Sequence, residues 1–243
     1  MALYFEMYSG IAGDMTIGAL LDLGARKKVL IDGIDSLNLP IAQLSFRQTI
    51  KNTIAAYDFD TRTHVEKART MEALSLEKVH EILEAGNFSE KVKEDSRNLF
   101  TIAAKAEASS QGMEVKDFRF HPVGVVDSFI DFVGTSLLIE DLAPDNIYFS
   151  DLYEAKGYQM RKRGPMPLPE PAVLSLIKEY GLPLQLVDDE GERNTLTGAC
   201  IVAYYRKDPL PERFLVRDVG IGAGNSDFKK STNVLRVYDI EVL

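Results

Sequence analysis

Hydrophobic and polar positions at the start of the chain predict a strand that turns directly into a helix. Apolar residues dominate 2–8, and the turn SGIAGDM follows at 9–15. Apolar positions then recur with helical spacing until Gly24, a residue type that commonly ends a helix. A strand, a glycine-containing turn and a helix are therefore expected in immediate succession.

The rest of the chain alternates between the two kinds of element. The pattern predicts strands at 44–50, 54–61, 146–150, 184–187, 214–219 and 233–242, helices at 75–85, 89–110, 172–180 and 200–205, and a flexible glycine loop at 220–224. This alternation predicts an α/β fold with a mixed or mainly parallel sheet and flanking helices. We expect one domain over 1–243, with a small second lobe over 40–115 as an option.

The stretch FRFHPVGVVDSFIDFVG at 118–134 predicts a helix whose apolar pattern is broken by charge. The helix continues to Asp141, and Asp127 and Asp131 lie one turn apart on one face. Capping of the helix N-terminus by Asp127 or Ser128 would explain the first acid. Asp131 lies too deep to be a cap. It needs a cation, a hydrogen-bond network or a solvent-filled cleft, because an ionised carboxylate in apolar surroundings is costly.

Composition limits the classes of function. The chain has 243 residues, of which 45% are hydrophobic and 27% charged, as in ordinary globular proteins. No window approaches the roughly 18 apolar residues of a membrane span, and no basic region precedes the first apolar stretch, so we expect a cytoplasmic location. A net charge of −9 disfavours nucleic acids and membranes as partners. Because Cys200 is the only cysteine and His64, His80 and His121 are the only histidines, a metal site must rely mainly on oxygen ligands.

Two glycine-containing turns are candidate anion-binding sites. Gly10 and Gly13 would let the backbone approach a ligand at a helix N-terminus, and TLTGA at 195–199 opens a second helix with two hydroxyls. The alternatives are a tight strand-to-helix turn in the first case and capping by the threonines in the second. Glu6 and Asp14 near the first turn favour a phosphate accompanied by a divalent cation over a bare phosphate.

A basic cluster stands out in the acidic chain. Arg161, Lys162 and Arg163 precede a run of four prolines within 165–171, which holds the chain extended. The segment is either a rigid exposed connector or a clamp for an anionic ligand.

Several motifs together resemble one protein family. MYSGIAGDMTIGALLDLG, FRFHPVGVVDSFIDFVG and the pair TLTGA and GIGAG, with LPEPA between them, occur in the order found in the LarC family, the nickel insertion proteins of lactate racemase maturation. The resemblance covers almost the whole chain. Members of that family usually have Asp, a His-Glu pair and Thr-Pro-Thr where this chain has Glu6, His121-Pro122 and Thr195-Leu196-Thr197, and many carry a His-rich stretch that is missing here.

The resemblance implies a CTP-dependent cyclometallase of the lyase class, which inserts nickel into pyridinium-3,5-bisthiocarboxylic acid mononucleotide. It implies nickel, and CTP with Mn²⁺ or Mg²⁺, and a separately encoded C-terminal half that partners this N-terminal, substrate-binding half. We expect His121, Asp127 and Asp131 to be catalytic and metal-binding. The expected substrate-binding residues are Ser9, Gly10, Gly13, Asp14, Thr195, Thr197 and Gly198. Assembly into a homo-oligomer is left open.

Two other functions remain open from the sequence. The chain is alternatively a phosphate- or nucleotide-binding protein without metal insertion, or a non-catalytic scaffold whose glycine motifs serve folding and assembly with a partner chain.

Overall fold

The computed structural model describes residues 1–161 and 164–243, except for the side chain of Ala42. Within these residues the chain forms ten strands and eight helices. The strands are β1 (Ala2–Glu6), β2 (Ile41–Lys51), β3 (Ile54–Thr63), β4 (Asn146–Phe149), β5 (Leu152–Ala155), β6 (Tyr158–Arg161), β7 (Gly164–Pro167), β8 (Leu184–Val187), β9 (Phe214–Ala223) and β10 (Val234–Val242). The helices are α1 (Gly13–Asp22), α2 (Lys27–Asp35), α3 (Val65–Arg69), α4 (Leu76–Ala85), α5 (Glu90–Ser110), α6 (Pro122–Leu142), α7 (Pro171–Tyr180) and α8 (Leu196–Tyr205).

Six strands form the main sheet in the order β2-β3-β9-β10-β1-β4. β10 runs antiparallel to both β1 and β9, whereas β4 runs parallel to β1 and β3 runs parallel to β9. The β2–β3 hairpin turns at Asn52 and Thr53, whose φ angles of 44° and 70° are left-handed. β5 pairs with β8, and β6 with β7, in two small separate sheets. The predicted α/β class with a mixed sheet is confirmed.

α6 is the central helix of the helical layer. It packs against α1, α2 and α5, and Phe129, Ile130 and Phe132 have no exposed surface. By length and composition α6 would also pass as a membrane span, so the expectation that no such window exists was wrong. Most of its residues are buried within the protein, as expected for a core helix that is apolar on all sides.

The glycines of the GIGAG motif at 220–224 lie mainly in β9 rather than in the predicted flexible loop. A Cβ atom on Gly220 would lie 2.1 Å from the Ala19 carbonyl oxygen, and one on Gly222 would lie 1.9 Å from the Met15 carbonyl oxygen. α1 therefore packs directly on the backbone of β9. Glycine marks a close backbone approach here, although in sequence it more often marks a loop.

Other elements differ in how well the local pattern predicts them. Six elements begin and end within one residue of the predicted bounds: α4, α5, α7, β4, β8 and β10. Ser75 and Ser89 cap α4 and α5 with their hydroxyls, as their sequence positions indicate. α2 was not predicted, and α8 begins at Leu196 rather than at Cys200.

Candidate functional site

The two predicted turns lie against each other beyond the end of β1. The Ile11 N–H donates to the Arg193 carbonyl oxygen at 2.9 Å, and the Thr195 N–H donates to the Ile11 carbonyl oxygen at 3.1 Å. These bonds form a parallel bridge between Ile11 and Asn194. The turn that follows β1 and the segment that precedes α8 are therefore one unit, which brings the N-termini of α1 and α8 together.

Two of the predicted ligand-binding glycines serve this contact between the turns. Gly10 has a φ of +89°, and a Cβ atom on it would lie 2.0 Å from the Arg193 carbonyl oxygen. A Cβ atom on Gly198 would lie 2.2 Å from the Ile11 carbonyl oxygen. The space that each glycine leaves is filled by protein backbone. For Gly10 this fits the tight-turn alternative, and for Gly198 it is a close backbone contact that neither alternative named.

A buried carboxyl group supports the segment before α8. Glu154 accepts hydrogen bonds from the N–H groups of Ala155, Arg193 and Asn194 at 2.9–3.1 Å, and from the Asn194 side chain at 3.0 Å. Burial is the main cause that raises the pKa of Glu154, and these hydrogen bonds oppose it. Sequence reasoning missed Glu154, although an acid within the short strand β5 is a signal of the same kind as Asp131.

Two of the predicted hydroxyl ligands are also engaged within the fold. The Ser9 hydroxyl donates to the Thr232 carbonyl oxygen at 2.7 Å. The Thr195 hydroxyl accepts from the Gly198 N–H at 3.1 Å, so Thr195 is the N-cap of α8. Thr197 Oγ1 lies 3.1 Å from Thr195 Oγ1 and is thereby placed at the first turn of α8.

Asp131 reaches from α6 to the N-terminus of α1. A Cβ atom on Gly13 would lie 2.1 Å from Asp131 Cγ and 2.3 Å from its Oδ2. Burial raises the pKa of Asp131 well above its usual value, the charge of Asp14 adds to the rise, and the nearby Thr197 hydroxyl opposes it. The carboxyl group of Asp131 therefore occupies the position at the turn where an external anion was expected.

Asp14 is the second carboxyl group at this point. Its Oδ1 accepts from the Met15 N–H at 2.7 Å and its Oδ2 accepts from the Asn225 side chain at 3.0 Å. Burial raises the pKa of Asp14 to about 6, against the hydrogen bond from Met15, and the charges of Asp58 and Asp60 add to the rise.

More acidic side chains surround this pair. Asp58 on β3 is buried and accepts from Arg47 Nε at 2.7 Å, whereas its Oδ1 is buried with no hydrogen-bond partner among the described residues. Asp127 accepts from the Thr63 hydroxyl at 2.8 Å. Its pKa is raised by burial, with a further contribution from Asp60. We call these residues the acidic cluster: Asp14, Asp58, Asp60, Asp127 and Asp131.

His121 lies apart from Asp131. Its Nδ1 accepts from the Val123 N–H at 3.3 Å, so His121 is the N-cap of α6 and the predicted cap at Asp127 or Ser128 was wrong. At 1.5 Å per residue, the N-cap and Asp131 are about 15 Å apart along the helix axis. Within 1–161 and 164–243, no group of three or more His, Cys, Asp or Glu side chains is arranged to hold a metal ion.

The one described member of the basic cluster forms ion pairs. Arg161 Nε donates to Glu170 at 2.8 Å, and Arg161 Nη2 donates to Glu192 at 2.7 Å. Lys162 and Arg163 lie outside the described residues. Arg161 thus joins the β6–β7 hairpin to two acids of the same chain, which fits the rigid-connector alternative.

A family described as nickel insertion protein matches residues 3–241. The pyridinium-3,5-bisthiocarboxylic acid mononucleotide nickel insertion protein of Alkaliphilus metalliredigens is 37% identical over 98% of this chain and 60% of its own length. A putative nickel insertion protein of Geobacter sulfurreducens is 35% identical over 99% of this chain and 61% of its own length. No solved structure matches.

The chain spans about 60% of the length of the relatives it matches. The family match nevertheless extends over nearly all of the chain and includes both turns, α6 and the acidic cluster. The chain therefore belongs to the nickel insertion protein family, the one its motifs resemble.

Proposed function

We propose that this chain acts in a nickel-inserting enzyme and brings a nickel ion to pyridinium-3,5-bisthiocarboxylic acid mononucleotide. Relatives from Alkaliphilus metalliredigens and Acetivibrio thermocellus are named for nickel insertion into that compound. The observation that carries the proposal is the packing of Asp131 against Gly13, the residue before Asp14, so that the charge of Asp14 acts on Asp131 where the N-termini of α1 and α8 adjoin.

The two carboxyl groups favour a cation between them. Two neighbouring carboxylates disfavour each other's ionisation, and burial adds to that penalty. A divalent cation offsets both effects, and the negative charge of Asp58, Asp60 and Asp127 adds to the attraction. Nickel in this reaction is a substrate rather than a resident cofactor.

The ligand set also suits release of the ion. Carboxylate oxygens are harder ligands than sulfur and are not the ligands that best suit nickel, so the ion passes readily to thiocarboxylate sulfur. Asp131 meets Gly13, the residue before Asp14, and within 1–161 and 164–243 no three acidic, histidine or cysteine side chains are arranged to hold a metal ion, which leaves coordination positions for donor atoms of the mononucleotide. A site that hands an ion on requires such an incomplete protein ligand set.

The other predicted residues take separate roles in this proposal. Thr197 and the N–H groups at the start of α8 hold an anionic group of the substrate. Asp127, one turn before Asp131, contributes to the electrostatic attraction of the ion. His121, at the far end of the α6 segment, contacts the substrate and does not share the ion with Asp131. Gly10 and Gly198 set how closely the two turns approach each other, and Gly13 sets how closely Asp131 approaches α1.

The remaining part of the reaction is assigned to the part of the family's length that this sequence does not span. We propose that residues 1–243 form a single domain equivalent to the N-terminal part of the relatives, of whose length they span about 60%. Use of CTP with Mn²⁺ or Mg²⁺, and completion of nickel insertion, then depend on the family's C-terminal half, acting in the cytoplasm.

Calorimetric titration of the purified chain with Ni²⁺ tests the proposal. Asp131→Asn and Asp14→Asn should each weaken Ni²⁺ binding about tenfold or more, since a contact to a charged group contributes about 1.5–3 kcal/mol. Asp32→Asn, an exposed change on α2 beside Lys28, is the control and should bind Ni²⁺ as the wild type does.

Thermal melting with and without Ni²⁺ separates this role from a structural one. If Asp131 faces a cation, Asp131→Asn should melt at the same or a higher temperature without metal and lose the nickel-induced shift. A destabilised variant that keeps the full nickel-induced shift would instead assign Asp131 to a hydrogen-bond network and contradict the proposal.

A further inference from the structure

A small cavity adjoins the acidic cluster on the far side of Thr197. It has a volume of about 160 Å³ and lies between α5, α6, the segment that leads into α6, and the start of α8. Thr197 lines the cavity and also lies beside Asp131, so the cavity and the carboxyl pair share one residue. His121 and Gly124 line it as well and are exposed, which gives the cavity an opening to solvent.

The volume fits a single six-membered ring. An apolar cavity of about 150 Å³ is known to bind benzene, whereas pockets for whole drug-sized ligands run to roughly 300–1,000 Å³. The space is therefore too small for a complete nucleotide and large enough for its ring alone.

The walls are aromatic and held in place. Phe118, Phe120 and Phe132 line the cavity and are buried. Phe118 and Phe120 meet edge to face with ring centres 4.9 Å apart, and Phe132 meets Phe100 in the same way at 4.9 Å. The ring centres of Phe100 and Phe120 are 5.6 Å apart, so the four rings form one rigid network. Aromatic faces of this kind attract a cationic ring.

The polar groups at the cavity are complementary to such a ring. Glu107 on α5 is half-buried, lines the cavity, and contacts Gln111 at 3.1 Å. Glu107 is not part of the acidic cluster. The hydroxyls of Ser128 and Thr197 and the imidazole of His121 line the same space and supply hydrogen-bonding groups for ring substituents.

We infer that this cavity binds the pyridinium ring of the mononucleotide, with Glu107 facing its positive charge and the ring substituents emerging at Thr197 toward Asp131. The inference rests on the proposed function, since it assigns the ring of that substrate to a place beside the carboxyl pair. A ring held here brings its thiocarboxylate groups to the ion, while the ribose and phosphate remain outside the cavity.

Gly124→Leu is the decisive variant. A Cβ atom on Gly124 would meet no heavy atom within 4 Å, so a larger side chain is accommodated and fills the mouth of the cavity. Replacing glycine within a helix also favours the helix, so this variant is expected to melt no lower than the wild type. Ala85→Leu, which adds an exposed leucine on α4 away from the cavity, is its control.

The probes are nicotinamide mononucleotide, which carries a pyridinium ring, CMP, which carries an uncharged pyrimidine, and ribose 5-phosphate, which has no ring base. The wild type and Ala85→Leu should bind nicotinamide mononucleotide about tenfold more tightly than CMP or ribose 5-phosphate. This is the size of effect expected for a desolvated cation–π contact. Gly124→Leu should abolish this preference without changing the affinity for ribose 5-phosphate. Glu107→Gln should reduce the preference, whereas Glu81→Gln on the exposed side of α4 should not.

Three results would overturn the inference. They are equal affinity of the wild type for nicotinamide mononucleotide and ribose 5-phosphate, an unchanged preference in folded Gly124→Leu, and a preference for CMP. Ni²⁺ titration of the same proteins keeps the two proposals apart, because Gly124→Leu should bind Ni²⁺ as the wild type does. If the wild type fails to bind Ni²⁺ but still prefers nicotinamide mononucleotide, the proposed function is contradicted and the assignment of the cavity to a pyridinium ring is not.

Discussion

The contact between Gly13 and Asp131 can be tested by a double-mutant cycle. In Gly13→Ala the new Cβ atom would lie 2.1, 2.3 and 2.5 Å from Cγ, Oδ2 and Cβ of Asp131. Ordinary contacts between carbon atoms are about 3.5–4.0 Å, so α1 or α6 has to shift. Asp131→Gly removes all three of those atoms, whereas Asp131→Ala would leave the Cβ contact in place.

The expected size of the effect follows from overpacking and helix propensity. Overpacking costs about 1–3 kcal/mol, and alanine recovers up to about 1 kcal/mol relative to glycine in a helix. Gly13→Ala should therefore lower the free energy of unfolding by about 1–2 kcal/mol. For a chain of this size that corresponds to a melting temperature roughly 2–8 °C lower. In the Asp131→Gly background the same substitution should be neutral or stabilising, which gives a coupling energy of about 1 kcal/mol or more.

Chemical denaturation of the four proteins measures this coupling. Gly222→Ala is the matched control, because its Cβ atom would meet the Met15 carbonyl oxygen and Asp131→Gly cannot relieve that contact. Its cost should be the same in both backgrounds. An equal cost of Gly13→Ala with and without the Asp131 side chain would refute the assignment of Gly13 to this contact.

Three further predictions concern charges around the site. The pKa of Asp14 is raised to about 6 in the folded protein. The protonated Asp14 therefore contributes to the stability of the fold below about pH 4, and this contribution is lost as the pH rises through 6. Asp14→Asn should thus stabilise the metal-free protein at pH 8 by up to about 3 kcal/mol and leave its stability nearly unchanged at pH 4. Melting curves of the two proteins that show no such pH dependence would contradict a buried carboxyl group at Asp14. Glu154→Gln should cost about 1–3 kcal/mol in chemical denaturation for each N–H that loses its acceptor, and an unchanged midpoint would show that the network is dispensable. Arg161→Gln should cost less than about 1 kcal/mol because the side chain is 41% exposed, and a larger loss in the same assay would contradict a surface ion pair.

Features that rest on neighbouring residues could be predicted from the sequence. Ser75 and Ser89 are caps because a hydroxyl before an apolar-periodic run accepts from the first free N–H groups. The β2–β3 hairpin follows from two alternating runs around a polar break. Asp131 stood out because a charge deep in an apolar helix needs a specific explanation.

Features that rest on distant contacts could not be predicted in the same way. Gly220 and Gly222 look like loop residues until α1 is placed on β9, since nothing nearby in sequence indicates which atoms approach them. Three of the four donors to Glu154 belong to Arg193 and Asn194, about 40 positions away, so they cannot be recognised from the strand that carries it. His121 and Asp131 share a motif, yet helix geometry separates them along α6.

The position of Asp131 favours one of the two kinds of ligand that the sequence left open. A glycine at the start of α1, a hydroxyl at the start of α8 and an acid within α6 are each weak signals, and the first two indicate an anion site when taken alone. In the structure the carboxyl group of Asp131 fills the space at Gly13 and lies beside Thr197, so a carboxyl group of the chain itself stands at the start of α1. A bare phosphate placed there would meet Asp131 and Asp14 and be repelled by both, whereas a divalent cation would be attracted by both and would bridge them to an anionic substrate. The same packing that excludes a free anion from this turn therefore favours the joint binding of a metal ion and a mononucleotide.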